Sequence, residues 1–167
     1  MAAGATYEPI ATSSPSGTTT VTFNSFGGYT DLVIIAVAKN DTTAGQLLMR
    51  FNGDTTGPYS RTLLVGDGST ASSSRSAPNT IGLTGGVSMV TTADTFVMAK
   101  ANIFSYTGST NKTVLVEHSQ DLNGSGRVGR YVYLWPSTSA ITSIEIYTNG
   151  GNFSSGTRFT LYGIKSA

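Results

Sequence analysis

Hydrophobic and polar residues alternate over short stretches of this chain, with the period of a β-strand. The alternation is clearest in Ile144–Glu145–Ile146 and from Arg158 to Tyr162. A period of two places every second side chain on one buried face. Between these stretches lies TNGGN at 148–152, made of residues that tolerate the positive φ of tight turns. We therefore predict two strands here and expect the last one to be held within a sheet.

Strand-like stretches follow one another along the rest of the chain, and no convincing helical period exceeds two turns. They cover 7–12, 18–23, 32–39, 46–51, 59–65, 95–106, 112–119 and 127–135. NGD at 52–54 is a hairpin signal. About nine to eleven strands at spacings near ~8–12 residues are typical of sandwiches. The pattern predicts one all-β domain over residues 1–167, an antiparallel β-sandwich with a jelly-roll-like arrangement as the first expectation and other sandwich topologies as the alternatives.

One long segment lacks the alternation. It reads GDGSTASSSRSAPN at 66–79 and contains no apolar residue larger than Ala or Pro. Too little apolar surface is present to offset the entropy of ordering it alone. We predict a surface loop outside the core that contacts solvent or a neighbouring protein, and whose deletion leaves the stability nearly unchanged.

Two strands are apolar on both faces. In 32–38, Leu, Ile and Ala occupy one face and Val, Ile and Val the other, which predicts a central strand covered on both sides. In the strand at 127–135, Tyr131, Tyr133 and Trp135 share one face and Val132 and Leu134 the other. The aromatic face is either a wall of the core, a subunit interface or a platform for sugar rings. We expect burial by the core on one side and by a partner subunit or covering loop on the other.

Composition excludes several partners. Charged residues make up 11% of the chain, with 26 Thr and 21 Ser, and the net charge is only +1. The ten cationic residues are scattered, so no nucleic-acid surface is predicted. The chain has no cysteine, and its N-terminus, MAAGATYEPI, lacks the features of a signal peptide. Its longest apolar run, 32–38, is too short to span a bilayer, so no membrane partner is expected.

Candidate chemistry is sparse. His118 is the single histidine and shares a strand face with Val114 and Val116. General-base catalysis needs a nucleophile and an orienting carboxylate beside it, and no G-x-S-x-G elbow is present. Asp67, between two glycines, is the candidate calcium ligand, but the D-x-D-x-D spacing is missing. We predict no enzyme activity, no cofactor and no bound metal.

Several motifs together resemble one group of proteins. They are YEPIAT at 7–12, RFNGD at 50–54 with YS at 59–60, and GGNF at 150–153 leading into TLYGIK at 160–165. The chain resembles small β-rich virion structural proteins of tailed bacteriophages, of the type frequent in marine and cyanobacterial phages. The resemblance spans nearly the whole chain. Its motifs are turn and strand residues, and they carry no catalytic residue with them.

The resemblance implies a virion protein. We expect a capsid decoration or cement protein on the outer surface of the phage head. Its partners would be the major capsid protein and further copies of itself, with a homotrimer as the first expectation. The alternative is a tail-fibre or baseplate-associated adhesin that binds host surface glycans, for which the aromatic face and the 66–79 segment are the candidate contacts.

Overall fold

The computed structural model describes residues 6–42, 45–56, 59–84, 88–89 and 94–165, and these residues contain strands but no α-helix. The strands are β1 (Tyr7–Ser13), β2 (Thr20–Phe23), β3 (Asp31–Ala38), β4 (Leu47–Phe51), β5 (Ser60–Gly66), β6 (Ala71–Ser76), β7 (Ile81–Gly82), β8 (Val97–Ile103), β9 (Lys112–Asp121), β10 (Gly126–Trp135), β11 (Ile144–Thr148) and β12 (Arg158–Ile164). The described part of the chain thus contains no helix long and apolar enough to cross a membrane.

Two antiparallel sheets pack face to face, so the predicted β-sandwich is confirmed. The larger sheet has eight strands in the order β1-β12-β3-β8-β9-β10-β5-β6, and the smaller has four in the order β2-β11-β4-β7. The chain passes repeatedly from one sheet to the other. As expected, the last strand is held within a sheet, because β12 lies between β1 and β3.

The core lies between the two sheets and is built largely from alternate residues of the strands, to which β6 contributes none. In β9, for example, Val114 and Val116 point inward and are fully buried, whereas Thr113 is exposed. The largest fully buried side chains include Tyr59, Tyr106, Tyr131, Tyr133, Phe51, Phe153, Phe159 and Lys112. Burial of one face per strand follows directly from the alternation in the sequence.

The segment at 66–79 differs from the prediction. It lies outside the core, as expected, but it is not a loop, because residues 71–76 form β6 and pair with β5 from Gly66↔Ala71 to Arg61↔Ser76. β6 runs back along the whole of β5, over about 20 Å. Deleting it would leave the chain unable to reach β7 without disturbing the fold. The expectation that the segment can be removed at little cost is therefore revised.

The NGD turn is present, but it does not join a hairpin. Asn52 and Gly53 both have positive φ, at 52° and 66°. However, β4 belongs to the smaller sheet and β5 to the larger one, so the turn redirects the chain between sheets. Turn chemistry is local, whereas the choice of partner strand depends on the whole sandwich.

Candidate functional site

The most extensive candidate surface is the outer face of the eight-stranded sheet, the side that points away from the four-stranded sheet. Five large apolar side chains are exposed on it: Ile35 (40%), Leu64 (59%), Met98 (53%), Val128 (61%) and Val132 (46%). We call these five residues the outer patch. They come from the strands β3, β5, β8 and β10, which are close together in the sheet. Single exposed apolar residues are ordinary, whereas several on one sheet face make that face a candidate interaction surface.

Four of the five residues of the outer patch line a concave recess of about 690 Å³, and Val132 lies outside it. Ile35, Leu64, Met98 and Val128 contribute apolar side chains to its wall. The small residues Gly66, Ala71 and Gly129 also line it, and the last of them is buried. A concave apolar surface is complementary in shape to a convex apolar one.

A row of three charged residues crosses the recess. The strand register places Lys100, Glu117 and Arg130 side by side on β8, β9 and β10. Arg130 Nη2 lies 3.0 Å from Glu117 Oε1, but both side chains are well exposed, so this ion pair contributes little to stability. Lys100 makes no ion pair within the described part of the chain. The row therefore carries a net charge of about +1 within an apolar surround.

The aromatic row predicted from the sequence is not at the surface. Tyr131 and Tyr133 are completely buried and Trp135 is 3% exposed. The Tyr133 hydroxyl donates to the Gly82 carbonyl at 3.2 Å and accepts from the Gly82 amide at 3.1 Å. Trp135 Nε1 donates to Asp54 Oδ2 at 2.8 Å. These three rings form a wall of the core, so the expectation that they face a glycan or a partner subunit is corrected. The exposed Val132 lies on the opposite face of β10.

His118 lies beside this aromatic row, inside the sandwich. Its ring stacks on Tyr131 with 5.1 Å between centroids, and only 3% of its surface is exposed. Burial, with a smaller contribution from the Arg127 charge, lowers the pKa of His118 to about 4. The imidazole is therefore uncharged at neutral pH. Neither ring nitrogen, nor Arg127 Nε, nor the Tyr131 hydroxyl has a hydrogen-bond partner among the described residues.

A second recess of about 520 Å³ opens at the end of the large sheet, between the turns that follow β5 and β9. We call it the hairpin-end recess. Its polar lining includes Arg127, Gln120, Asp67, Thr70 and Ser72. These groups offer both donors and acceptors, and the volume lies in the range of small-molecule pockets.

The Asp67 carboxylate is hydrogen-bonded within the turn that it begins. Its Oδ1 accepts hydrogen bonds from the amides of Ser69 (2.9 Å) and Thr70 (2.7 Å) and from the Ser69 hydroxyl. The backbone hydrogen bond from Thr70, followed by that from Ser69, lowers the pKa of Asp67 to about 2. The described residues contain no group of three His, Cys, Asp or Glu side chains that is placed to hold a metal ion. The geometry of Asp67 is that of a turn-forming carboxylate.

Most of the outer patch was not singled out from the sequence. The apolar second face of the strand at 127–135 was a signal, and it pointed to the side on which Val132 is exposed. Leu64 and Met98 sit in strands whose second faces are mixed, so local pattern alone does not select them. They become a group only when β5, β8, β9 and β10 lie side by side.

Comparison of the chain with protein-family models, with curated proteins and with solved structures finds no match.

Proposed function

We propose that this protein is a structural protein of a bacteriophage virion, a capsid decoration or cement protein that stabilises the head shell. The observation that best supports this proposal is the outer patch, five large exposed apolar side chains on one sheet face, four of which line the recess. Patches of this kind are typical of surfaces that bind another protein. The assignment to a phage rests on the motif resemblance in the sequence.

The mechanism is attachment by burial of apolar surface. A convex apolar feature of the major capsid protein fills the recess and removes Met98 and Val128 from water, which contributes about 25 cal/mol per Å². Association costs rotational freedom and side-chain order, so only the surplus appears as affinity. Each contact can be modest if the protein bridges several capsid subunits, because one attached contact raises the effective concentration of the next.

The charged row sets the register of this contact. A carboxylate on the capsid side that reaches Lys100 adds a hydrogen-bonded ion pair at the edge of the apolar contact. One such pair has little effect on affinity compared with the apolar area, so attachment depends only weakly on salt. Strong loss of attachment at moderate salt would count against this mechanism.

The direct test is a reconstruction of the phage particle with this chain located in it. We expect density on the outer surface of the head at a copy number that follows the shell lattice. Density only on the tail or the baseplate would contradict the cement function. Copies self-associate in this proposal, and the mass of the isolated protein in solution decides between a trimer, the first expectation from the sequence, and an even number of copies.

Two variants test whether the outer patch is the surface that binds the capsid. Val128→Asp places a charge in the recess at a side chain that is 61% exposed, so folding is expected to be unaffected. Thr138→Asp makes the same chemical change at an exposed position between β10 and β11, outside the recess. Val128→Asp should abolish binding to decoration-free capsids, whereas Thr138→Asp should bind normally. Equal binding by both variants would remove the outer patch from the proposal.

A tail-associated adhesin is the second candidate, and the hairpin-end recess is the observation that favours it. Arg127, Gln120 and Ser72 line it with donors and acceptors suited to sugar hydroxyls. A screen of the isolated protein against immobilised bacterial glycans tests this candidate. Loss of a glycan signal in Arg127→Gln but not in Arg130→Gln, whose side chain lies on the outer face of the same strand, would favour the adhesin.

A further inference from the structure

β6 forms a bare edge of the eight-stranded sheet. It is the last strand in the sheet order and pairs only with β5. Its sequence is ASSSRS, and all six residues are exposed, on both faces. In an antiparallel edge strand, every second residue directs its N–H and C=O groups away from its neighbour. Those groups of β6 meet no other strand of the described chain.

The other sheet edges are protected in ways that β6 is not. β1, at the opposite edge of the large sheet, contains Pro9 and a register shift between Pro9 and Ala11. In the smaller sheet, the edge strand β7 has two residues and β2 has four. Proline, bulges and short length are the usual means of preventing edge-to-edge pairing. β6 has six residues in unbroken register, without proline or a bulge.

Core packing does not account for β6. It places no side chain in the core, so its order in the monomer depends on one ladder with β5 and on a few side-chain contacts such as Arg61 Nε to Ser76 Oγ at 3.1 Å. An incoming strand would satisfy the outward backbone groups and add a second ladder. A hydroxyl-rich strand with small side chains leaves an incoming backbone free to approach.

We propose that β6 is a self-association edge, where it pairs antiparallel with β6 of a second copy about a two-fold axis and joins two large sheets into one. Ser72, Ser73 and Ser74 read the same in both directions, so an antiparallel copy presents the same small side chain at each central position. The axis passes through a pair of identical residues, and with the axis at Ser73 or at Ser74, Arg75 faces Ala71 or Ser73. No like charges are then directly opposite.

This pairing has a geometric consequence for the outer patch. A two-fold axis between antiparallel strands of one sheet is perpendicular to that sheet, so the outer faces of both copies point the same way. Leu64, on the strand next to β6, then lies close to the junction in each copy. The two outer patches become parts of one wider surface. The pairing itself is independent of any position in a particle, so it can be tested on the isolated protein.

Because the chain contains no cysteine, single-cysteine variants test the pairing cleanly. Paired residues in an antiparallel ladder have Cα atoms about 4.5–5.5 Å apart, within the range that a disulfide spans. Ser72→Cys, Ser73→Cys and Ser74→Cys are oxidised singly, because the two-fold axis passes through one pair of identical residues. We expect disulfide-linked dimers that peak at one position, and no dimer from Thr138→Cys. Equal crosslinking of all variants, Thr138→Cys included, would show random collision and overturn the pairing.

The mass of the unmodified protein, measured by analytical ultracentrifugation, is the second measurement. A two-fold contact predicts two copies, or an even multiple of two. A single copy at every concentration up to millimolar, or a trimer as the one assembled species, would overturn the proposal. Ser73→Pro and Ser74→Pro are compared in parallel, because one of the two adjacent amides points away from β5. The variant that retains the wild-type melting temperature should be monomeric, and a dimer formed by that variant would contradict the pairing.

Discussion

The hydroxyl oxygen of Tyr131 occupies the space that a side chain at Gly129 would need, since a Cβ atom there would lie 2.4 Å from it. The same Cβ would lie 2.6 Å from Cε1 of His118, directly opposite on β9. Both rings belong to the packed interior and cannot move without disturbing their neighbours. We expect Gly129→Ala to lower the free energy of unfolding by about 1–3 kcal/mol, the usual cost of overpacking. Urea denaturation followed by tryptophan fluorescence measures this change.

Gly66→Ala is the matched control. Gly66 lies on the adjacent strand β5, and a Cβ there would meet Val128 Cγ1 at 3.8 Å, an ordinary contact. Alanine restricts the unfolded chain more than glycine does, so this variant should be as stable as the wild type or more stable by up to about 1 kcal/mol. If both variants lose stability equally, the cost does not come from the rings over Gly129.

The buried His118 makes stability depend on pH. In the unfolded chain the imidazole takes up a proton near pH 6.5, but in the folded protein its pKa is lowered to about 4, mainly by burial and also by Arg127. The unfolded state therefore binds more protons between these values, and the free energy of unfolding falls as the pH drops from 6.5 towards 4. The loss attributable to this group is roughly 3 kcal/mol at most.

His118→Gln isolates this contribution from that of the carboxylates, which titrate in part of the same range. Thermal melts of both proteins between pH 7.5 and about 4 give the difference in stability at each pH. We expect the wild type to lose stability relative to the variant below pH 6.5, and the two curves to run parallel above it. Parallel curves over the whole range would mean that the folded protein accommodates the imidazolium at no cost.

Much of the sandwich follows from local pattern, because a half-buried strand repeats its polarity every two residues. The alternation predicts β11 and β12 in this way, and turn residues mark where several strands end. The same criterion fails for β6, because ASSSRS has no large apolar residues that could alternate with polar ones. Its extended backbone is imposed by the ladder with β5, a contact that the local sequence does not encode.

The candidate surface was harder to predict than the strands. Both faces of β10 are apolar, and only the completed register decides that Tyr131 faces the smaller sheet while Val132 faces outward. The recess on the outer face depends on how the larger sheet curves, and twist accumulates over many strands rather than within one. The sequence pattern therefore indicates that both faces of β10 are apolar, but it does not identify which face packs against the smaller sheet.

Lys112 ties down the segment between β8 and β9. Its side chain is fully buried, and Nζ donates to the carbonyls of Gly108 (2.7 Å) and Thr110 (2.6 Å). Burial lowers the pKa of this lysine. Lys112→Met keeps the aliphatic stem but removes the donor, so we expect a loss of about 1–3 kcal/mol in the free energy of unfolding. Lys100→Met, on the outer face, should change it by less than about 0.5 kcal/mol. Equal effects of the two changes in chemical denaturation would show that the buried ammonium does not hold the segment.

Asn40 is fully buried and links the end of β3 to the turn after β11, with its amide fully engaged. Nδ2 donates to Thr148 Oγ1 at 2.8 Å and to the Gly150 carbonyl at 2.6 Å, while Oδ1 accepts from the amide and hydroxyl of Thr42. Asn40→Asp would place a carboxylate oxygen against the Gly150 carbonyl in a buried site. We expect a loss of at least about 2 kcal/mol in the free energy of unfolding at pH 7.

The loss of stability in Asn40→Asp should become smaller at low pH if the buried negative charge causes it, and should stay constant if altered hydrogen-bond geometry causes it. A carboxyl in that site is favoured in its protonated form, so its folded pKa is raised above the value of about 3.9 in the unfolded chain. The folded state then binds the proton more tightly, and the variant recovers stability relative to the wild type as the pH falls through the raised pKa. Asn24→Asp, at an exposed position, is the control and should track the wild type. A deficit in Asn40→Asp that stays constant from pH 7 to 4 would mean that lost hydrogen-bond geometry, and not buried charge, destabilises the variant.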